Sequence, residues 1–452
     1  MQDISAMILQ FSVSNFRAFR DLQTLNLAAS SHDKTLPDNC ITASLPGLMG
    51  KRWIKGVALY GANASGKTTL LTALAFLAGM VKYSAMITDP KEPIREIDPF
   101  ALAPGHPETP TAFALAFVAD GVRYEYRVAA TRERIWHESL RAFPKVKEQL
   151  WFNRDWSPAT GSYVWSPERP TGFQRDTQLE GYTLSNMLFL SKAVANARSE
   201  LEPVFRWFIE QLRFLDPSVR NPLGRGLTLN QIGTQTPLRD RIVNLLRHAD
   251  IGIKGARTVE HPLSDEQLKR VIENIPPGAR EKFMKEQWQK PELVHQGNGT
   301  TEVPLPWESE SLGTKGLFAL AGPWLDILDR GLTVCADELE TSLHPLMVRE
   351  LLRLFFSEKE NPKGAQIIFT THNPLLLDPT LLRRDQVWFT EKDADGAAHL
   401  YPLTDYKPRK GESLARGYLA GRYGAVPFVP SGLLGSFQTH EIIGPTEKAG
   451  HE

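Results

Sequence analysis

Apolar and polar positions alternate in two parts of the N-terminal third of the chain. Residues 8–16 and 22–27 form two short alternating runs, which predict the strands of a hairpin. Residues 110–131 alternate on both sides of Asp120 and Gly121, and an Asp-Gly pair in this setting is typical of a tight hairpin turn. The pattern therefore predicts an antiparallel β subdomain near the N-terminus.

A strand, loop and helix pattern lies between these runs. Residues 57–60 are apolar and predict a buried strand, and the positions from Thr68 to near Gly79 have helical spacing. The C-terminal part repeats such alternation, with helices predicted over 317–328, 346–356 and 374–377, and strands over 332–336, 366–370 and 386–390. Helices and strands in alternation predict an α/β fold.

The middle of the chain has a different pattern. Apolar residues recur at helical spacing from about residue 182 to 292, as in DEQLKRVIENI, without the sustained heptads of a coiled coil. Residues 136–175 are rich in Trp and Pro and allow no firm assignment. We predict three parts, namely a first lobe over 1–180, a helical insertion over 181–300 and a second lobe over 301–452.

The composition narrows the class of protein. The chain has 452 residues with 52 Lys and Arg against 52 Asp and Glu, so net charge does not indicate DNA, although a local basic patch would still allow it. Its two cysteines, Cys40 and Cys335, are too few for a disulfide framework or a cysteine metal site. The sequence has neither a signal-peptide pattern nor a continuous apolar span, so we expect a cytoplasmic protein without membrane contact.

The stretch GANASGKT, residues 61–68, follows the apolar strand and opens the helix. Its glycines let backbone N–H groups converge on a phosphate at the helix N-terminus, Lys67 is expected to reach the β- and γ-phosphates, and Thr68 is expected to offer its hydroxyl to Mg²⁺. We therefore predict a site for ATP and Mg²⁺; the alternative is a glycine-rich turn that matches by chance. The predicted nucleotide-binding residues here are Gly61, Asn63, Ala64, Ser65, Gly66, Lys67, Thr68 and Thr69.

Two adjacent acids, Asp337 and Glu338, end the apolar run LTVCA. Charge at a buried strand end is costly, and a bound magnesium nucleotide would offset that cost. Asp337 has the position of the acid that holds Mg²⁺ beside a phosphate loop, and Glu338 is then placed to accept a proton from an attacking water. A helix N-cap is the alternative and would explain one of the two acids.

Two further segments flank this strand. ESLGTKG, residues 310–316, places Ser311 and Gly313 at the start of a predicted helix. IIFTTHNP, residues 367–374, ends a strand in His372, whose ring is able to contact a γ-phosphate. Taken alone, the first segment is more often a helix cap and the second an ordinary turn.

In chain order these segments resemble the motifs of an ABC-type ATPase head. GANASGKT resembles the Walker A motif, SLGTK the signature, LTVCADE the Walker B motif, SLHP the D-loop and His372 the switch histidine. The resemblance implies a P-loop NTPase of the SMC-like or OLD-like head type, with an N-terminal antiparallel β subdomain and a helical insertion. It also implies that Ser311 and Gly313 contact the γ-phosphate held by Lys67 of another chain, in an ATP-bridged homodimer or higher oligomer.

A resemblance over nearly the whole chain is to the ABC-type AAA ATPases of bacterial anti-phage systems, of the RloA-like and PARIS kinds. It is carried by MILQFSVSNFRAFR, DELETSLHP, FTTHNPLLLD, RRDQVWF and YLAGRYGAVPF. It implies a sensor and scaffold subunit that hydrolyses ATP and controls a separately encoded effector, expected to be a nuclease, in response to a phage-derived trigger protein.

Other functions stay open at this stage. The signature has Thr314 and Lys315 where the transporter form has Gly and Gln, and no glutamine lies between Lys67 and Gln149 to serve as a Q-loop residue. An SMC-like DNA-maintenance ATPase is one alternative. An OLD-like ATPase-nuclease is another, with Glu391, Asp393 and Asp395 as the acid cluster, although a polar hairpin turn explains those acids better. A transporter ATPase would need a membrane partner.

Overall fold

The central β-sheet has six strands and is parallel except at one edge. The computed structural model describes residues 6–168, 172–218, 221–234, 237–249, 252–260, 289–341, 343–409 and 411–427. The strands of this sheet are β5 (Gly56–Gly61), β11 (Leu212–Leu215), β15 (Thr333–Ala336), β16 (Gln366–Thr370), β17 (Val387–Lys392) and β18 (Ala398–Pro402). Their order is β11-β15-β16-β5-β17-β18, with β18 antiparallel to β17. The carboxyl ends of the five parallel strands therefore meet at one edge, where α/β proteins bind ligands.

The second large sheet is antiparallel and has seven strands. They are β1 (Met7–Ser14), β2 (Gln23–Asn26), β6 (Thr111–Ala119), β7 (Val122–Ala130), β8 (Ile135–Phe143), β9 (Gln149–Ser157) and β10 (Ser162–Ser166), in the order β10-β9-β8-β7-β6-β1-β2. Alternate residues such as Phe113, Leu115 and Phe117 are buried, because one face of this sheet packs on the core. Small sheets are formed by β3 (Cys40–Thr42) with β4 (Arg52–Ile54), and by β12 (Ile253–Glu260), β13 (Gln289–Gln296) and β14 (Glu302–Pro306).

The helices fill the space between and outside the sheets. The α-helices of the described part are α1 (Lys67–Tyr83), α2 (Thr177–Gly181), α3 (Phe189–Ala195), α4 (Glu202–Arg206), α5 (Pro222–Gly233), α6 (Pro237–Ala249), α7 (Leu312–Arg330), α8 (Pro345–Phe356) and α9 (Leu414–Leu419). α1 lies between the two large sheets and shares one hydrophobic core with both. α7 and α8 cover the opposite face of the central sheet and belong to a second core. The phosphate-loop helix α1 therefore packs against a sheet on each of two sides.

One stretch of the described chain, Lys67–Met86, is long and apolar enough to cross a membrane by length and composition. It contains α1, which starts in the phosphate loop and is buried between the sheets, as expected of a core helix.

The structure extends several sequence-based predictions. α1 continues past Gly79 to Tyr83, and residues 136–175, which had no assignment, contain most of β8 together with β9 and β10. The range 181–300, predicted to be helical, contains α3 to α6 but also β11, β12 and β13, and β11 is a strand of the central sheet. The segment DEQLKRVIENI lies outside the described residues. The division into these three parts stays a prediction.

Candidate functional site

The loop after β5 has a backbone that only certain residues adopt. Ala64 and Gly66 have φ values of +60° and +109°, both in the region that favours glycine. A Cβ on Gly66 would lie 2.8 Å from the Cβ of Ala398, and a Cβ on Gly61 would lie 2.4 Å from Ser65 Oγ. Close packing therefore requires glycine at both positions, and the positive φ requires it at Gly66, directly before α1 begins.

Lys67 lies across this loop. Its Nζ donates hydrogen bonds to the carbonyl oxygens of Gly61 at 2.9 Å and Ala62 at 3.0 Å, and its side chain is buried. Burial lowers the pKa of Lys67, and the carboxylate of Asp337 acts in the opposite direction. The other predicted loop residues differ in exposure, with Asn63, Ala64 and Thr68 exposed, Thr69 half-buried and Ser65 buried. An ammonium at this position is close enough to the loop to bind phosphate oxygens.

The two predicted metal-binding residues are in direct contact. Thr68 Oγ1 donates to Asp337 at 2.9 Å from Oδ2 and 3.2 Å from Oδ1, although the residues are far apart in sequence. Thr370 Oγ1, at the end of β16, donates to Asp337 Oδ1 at 2.6 Å. Hydroxyl and carboxylate oxygens are the ligand types that Mg²⁺ prefers, so the residues present fit a magnesium ion that keeps several waters.

Glu338 follows Asp337 in a strained turn. Its φ is +49°, which is uncommon for a residue with a Cβ, and such strain is concentrated at functional sites. Its backbone N–H donates to Thr370 Oγ1 at 2.7 Å, while its side chain is exposed at the edge of the sheet. One threonine hydroxyl therefore fixes both acids, accepting from the backbone of Glu338 and donating to the side chain of Asp337.

Thr370→Val tests this threonine. Valine keeps the shape but cannot bond to either acid, so we expect the rate of ATP hydrolysis to fall about tenfold, in line with the loss of one or two hydrogen bonds near a charged group. Steady-state phosphate release measures the effect. Thr333→Val, at the opposite end of β15 and also buried, is the matched control and should retain the wild-type rate. Equal rates for Thr370→Val and wild type would contradict the role of Thr370.

His372 lies beyond the end of β16, close to the same group of charges. Its backbone N–H donates to Glu340 Oε1 at 2.6 Å. Burial lowers the pKa of His372 and the Lys67 ammonium lowers it further, whereas the carboxylates of Glu340, Glu338 and Asp337 oppose this. His372 therefore lies near both Lys67 and the acid turn, which is the name used for residues 337–340. The lowered pKa favours a neutral imidazole at this position.

Ser311 and Gly313 lie on a different surface. Ser311 caps α7 by accepting a hydrogen bond from the Thr314 backbone N–H at 3.0 Å, and it is exposed. Both residues line a cleft of about 580 Å³ whose other walls include His344, Leu346 and residues of α6. No residue of the phosphate loop lines this cleft within the described residues. Within one chain, therefore, the predicted signature does not join the predicted phosphate site.

The C-terminal segment YLAGRYGAVPF, described as far as Pro427, has a position that the sequence did not indicate. Tyr418 packs on Tyr60 of β5, with ring centroids 5.4 Å apart, and on Phe389 of β17 at 5.8 Å. Thr390, also on β17, shares a hydrogen bond of 2.6 Å with Ser65 of the phosphate loop. The segment therefore supports the strands that carry the loop.

Sequence reasoning did not single out Thr370 or Thr390 as site residues. A threonine at the end of an apolar run was the available signal for both.

The acid cluster of the nuclease alternative forms a hairpin turn between β17 and β18. Asp393 Oδ1 accepts from the backbone N–H groups of Asp395 and Ala397, both at 2.9 Å. Arg20 forms ion pairs with Asp393 and Asp395, and Glu391 accepts from the Tyr401 hydroxyl. No group of three or more metal-ligating side chains is found in the described part of the chain. The carboxylates of this turn are engaged in holding its shape.

Comparison with known proteins identifies the domain. A family model described as "AAA domain, putative AbiEii toxin, Type IV TA system" matches residues 57–378, which include both the phosphate loop and the acid turn. Among solved structures, the SMC head domain from Thermotoga maritima is 12% identical, with 87% of this chain and 98% of that chain covered and a TM-score of 0.37. The recombination mediator protein RecF of the RecFOR pathway is 12% identical, with 88% of this chain and 99% of that chain covered and a TM-score of 0.33. No curated protein matches the chain. Because the family model spans most of it, the chain belongs to the AAA-domain family of the AbiEii type.

Proposed function

We propose that this protein hydrolyses ATP at the carboxyl edge of its central sheet. The observation that carries the proposal is the contact of Thr68 and Thr370 with Asp337, because it joins the phosphate loop, the acid turn and the end of β16 into one site. A bound ATP would have its β- and γ-phosphates on the N–H groups of the loop and on Lys67. Magnesium, held through Thr68 and Asp337, would neutralise charge on the phosphate oxygens.

The chain's own residues then supply positioning and proton transfer. Glu338 is exposed beside Asp337 and is free to accept the proton of a water that attacks the γ-phosphate. His372, with its pKa lowered by burial and Lys67, has a neutral ring able to orient that water or the phosphate. Lys67 keeps its charge close to the transferred group. Catalysis here rests on orientation and electrostatics, which is typical of phosphoryl transfer.

The second half of the site is proposed to come from another copy of the chain. Ser311 and Gly313 are displayed at the N-terminus of α7, where N–H groups favour an anion. Their cleft contains no phosphate-loop residue of the same chain within the described ranges, which supports a contact in trans. Two chains related by a two-fold axis would each offer a loop and a signature, enclosing two ATP molecules.

Ser311→Glu tests the contact in trans. A carboxylate facing the γ-phosphate is expected to reduce ATP hydrolysis by at least about 100-fold, since like charges repel in a site shielded from water. Lys67→Ala is expected to be inactive because its own phosphate loop fails. Mixing the two inactive variants places an intact Lys67 opposite an intact Ser311 in each mixed dimer, so phosphate release should reappear. Failure of the mixture, with both variants folded, would contradict a shared site.

For the biological role, we propose a regulatory ATPase of an anti-phage defence system. The resemblance to defence ATPases and the family's toxin–antitoxin description support this proposal. The ATPase would sense a phage-derived trigger protein and control a separately encoded effector, expected to be a nuclease. The test is phage plating on cells that express the chain with its neighbouring genes, using Lys67→Ala as the control. If phage plate with equal efficiency on cells with and without the wild-type chain, the defence role is contradicted. In a separate experiment, salt-sensitive binding of duplex DNA by the pure protein would favour the DNA-maintenance alternative.

A further inference from the structure

Glu340 is a half-buried carboxylate of the acid turn, to which the proposed mechanism assigns no role. Its Oε1 accepts the His372 backbone N–H at 2.6 Å, across a separation of 32 residues in the chain. Its Oε2 is buried, and among the described residues it has no hydrogen-bond partner. The side-chain Nδ2 of Asn373, next to His372, is also buried without a partner in this part of the chain. Glu340 therefore contacts the loop of residues 371–373, called the histidine loop, with one charged oxygen buried and unpaired among the described residues. A neutral residue would avoid the free-energy cost of burying that charge.

The bond from Glu340 holds the backbone of His372, whereas the residues on both sides of His372 are held by bonds to the central sheet. Thr370 is the last residue of β16, and the Thr371 N–H donates to Leu59 of β5 at 3.0 Å, so both are fixed to the sheet. The Asn373 carbonyl accepts from the Tyr60 hydroxyl at 3.1 Å. Between these fixed points, the amide of His372 is bonded to the side chain of Glu340.

An unpaired buried oxygen argues against a purely stabilising role for this carboxylate. Burying a charged group that is incompletely hydrogen-bonded is unfavourable, and such violations are expected at functional sites rather than in ordinary turns. Glu340 is two residues from Glu338, so the same short turn bears the proposed base and holds the histidine loop. Any movement of the turn that displaces Glu338 also displaces the amide of His372.

We propose that Glu340 is a positioning residue that sets the place of His372 relative to Glu338 and the γ-phosphate. The proposal rests on the proposed ATP hydrolysis. Through its Oε1, Glu340 holds the His372 amide, so the imidazole starts from one defined backbone position when nucleotide binds. The acid turn and the histidine loop then act as one unit, and the charge of Glu340 is not itself consumed in the reaction.

Backbone hydrogen exchange tests the contact without any turnover. In the nucleotide-free protein, Glu340→Ala should speed exchange in a peptide covering residues 370–374 by about tenfold, the loss expected for one charged hydrogen bond. Glu340→Gln keeps an acceptor oxygen and should show nearly wild-type exchange. Glu358→Ala removes an exposed glutamate beyond the end of α8, at the opposite end of the sheet, and is the matched control. Unchanged exchange in Glu340→Ala would overturn the contact.

Kinetics test the positioning role. We expect Glu340→Ala to lower kcat about tenfold with KM for ATP changed less than about twofold, and Glu340→Gln to recover most of the rate. In a His372→Ala background, Glu340→Ala should have no further effect on kcat, because the two act as one unit. Additive losses would overturn the proposal while leaving ATP hydrolysis in place. A wild-type chain without ATPase activity would instead refute the proposed function, and the exchange result would still decide the contact.

Discussion

Replacing Glu338 by Gln is expected to lower the rate of ATP hydrolysis by about 10²- to 10⁴-fold, the range for loss of a general base. Glutamine has the same size and keeps the backbone N–H that donates to Thr370, so the left-handed turn at this position should persist. What is lost is the ability to accept a proton. ATP affinity should therefore change little, and the nucleotide-bridged form should accumulate, because hydrolysis no longer ends it.

Phosphate release, calorimetric titration with ATP and light scattering with and without ATP measure these three outcomes for Glu338→Gln. Glu358→Gln, an exposed glutamate at the other end of the sheet, should behave as wild type in all three. Turnover retained by Glu338→Gln would contradict the role of Glu338 and show that another group takes the proton. Lost turnover together with lost ATP binding would instead indicate a collapsed turn.

The edge of the central sheet was predictable because its signals are local. An apolar run that ends in a glycine-rich loop or in acids marks the carboxyl end of a buried strand, and parallel strands place those ends together. The contact between Thr68 and Asp337 follows from this rule, although 269 residues separate them. The contribution of Thr370 and Thr390 did not follow, since a threonine inside an apolar run is also an ordinary strand residue.

Strands β8 and β9 were not predictable for a different reason. Their inward-facing positions include Glu138 and Arg154, both fully buried, so the alternation of apolar and polar residues fails in both strands. β11 was hidden because it is only four residues long and directly follows a helical stretch. Periodicity in the sequence does not detect a strand whose inward-facing residues are charged, or a strand of only four residues.

The buried pair of Glu138 and Arg154 connects the antiparallel sheet to the helices around α1. Glu138 Oε2 is 3.0 Å from Arg154 Nη2, and Arg154 also donates to the Met187 carbonyl. The carboxylate accepts the backbone N–H groups of Phe189 at 2.7 Å and Leu190 at 2.9 Å, at the start of α3. Since α3 packs on α1, Glu138 helps to hold the phosphate-loop helix in its place between the sheets.

Glu138→Ala is therefore expected to destabilise the protein by about 3–5 kcal/mol, the usual cost of removing one partner of a buried ion pair. The change leaves the Arg154 guanidinium buried without its carboxylate, and leaves two N–H groups of α3 without an acceptor. Urea unfolding followed by tryptophan fluorescence measures the loss. The ATPase rate of the molecules that stay folded should change much less than the stability, because Glu138 acts on the site only indirectly, through α3 and α1.

The double variant Glu138→Gln with Arg154→Met separates charge from hydrogen bonding. Glutamine keeps one acceptor oxygen for the two N–H groups of α3, and methionine replaces the buried cation with an apolar chain of similar length, so neither partner is left as an unpaired charge. Replacing a buried ion pair by uncharged residues is often close to neutral, so the double variant should be clearly more stable than Glu138→Ala. If it is equally unstable, the pair contributes through the specific shape of its ionic contacts, and the link from the antiparallel sheet to α1 depends on the charges themselves.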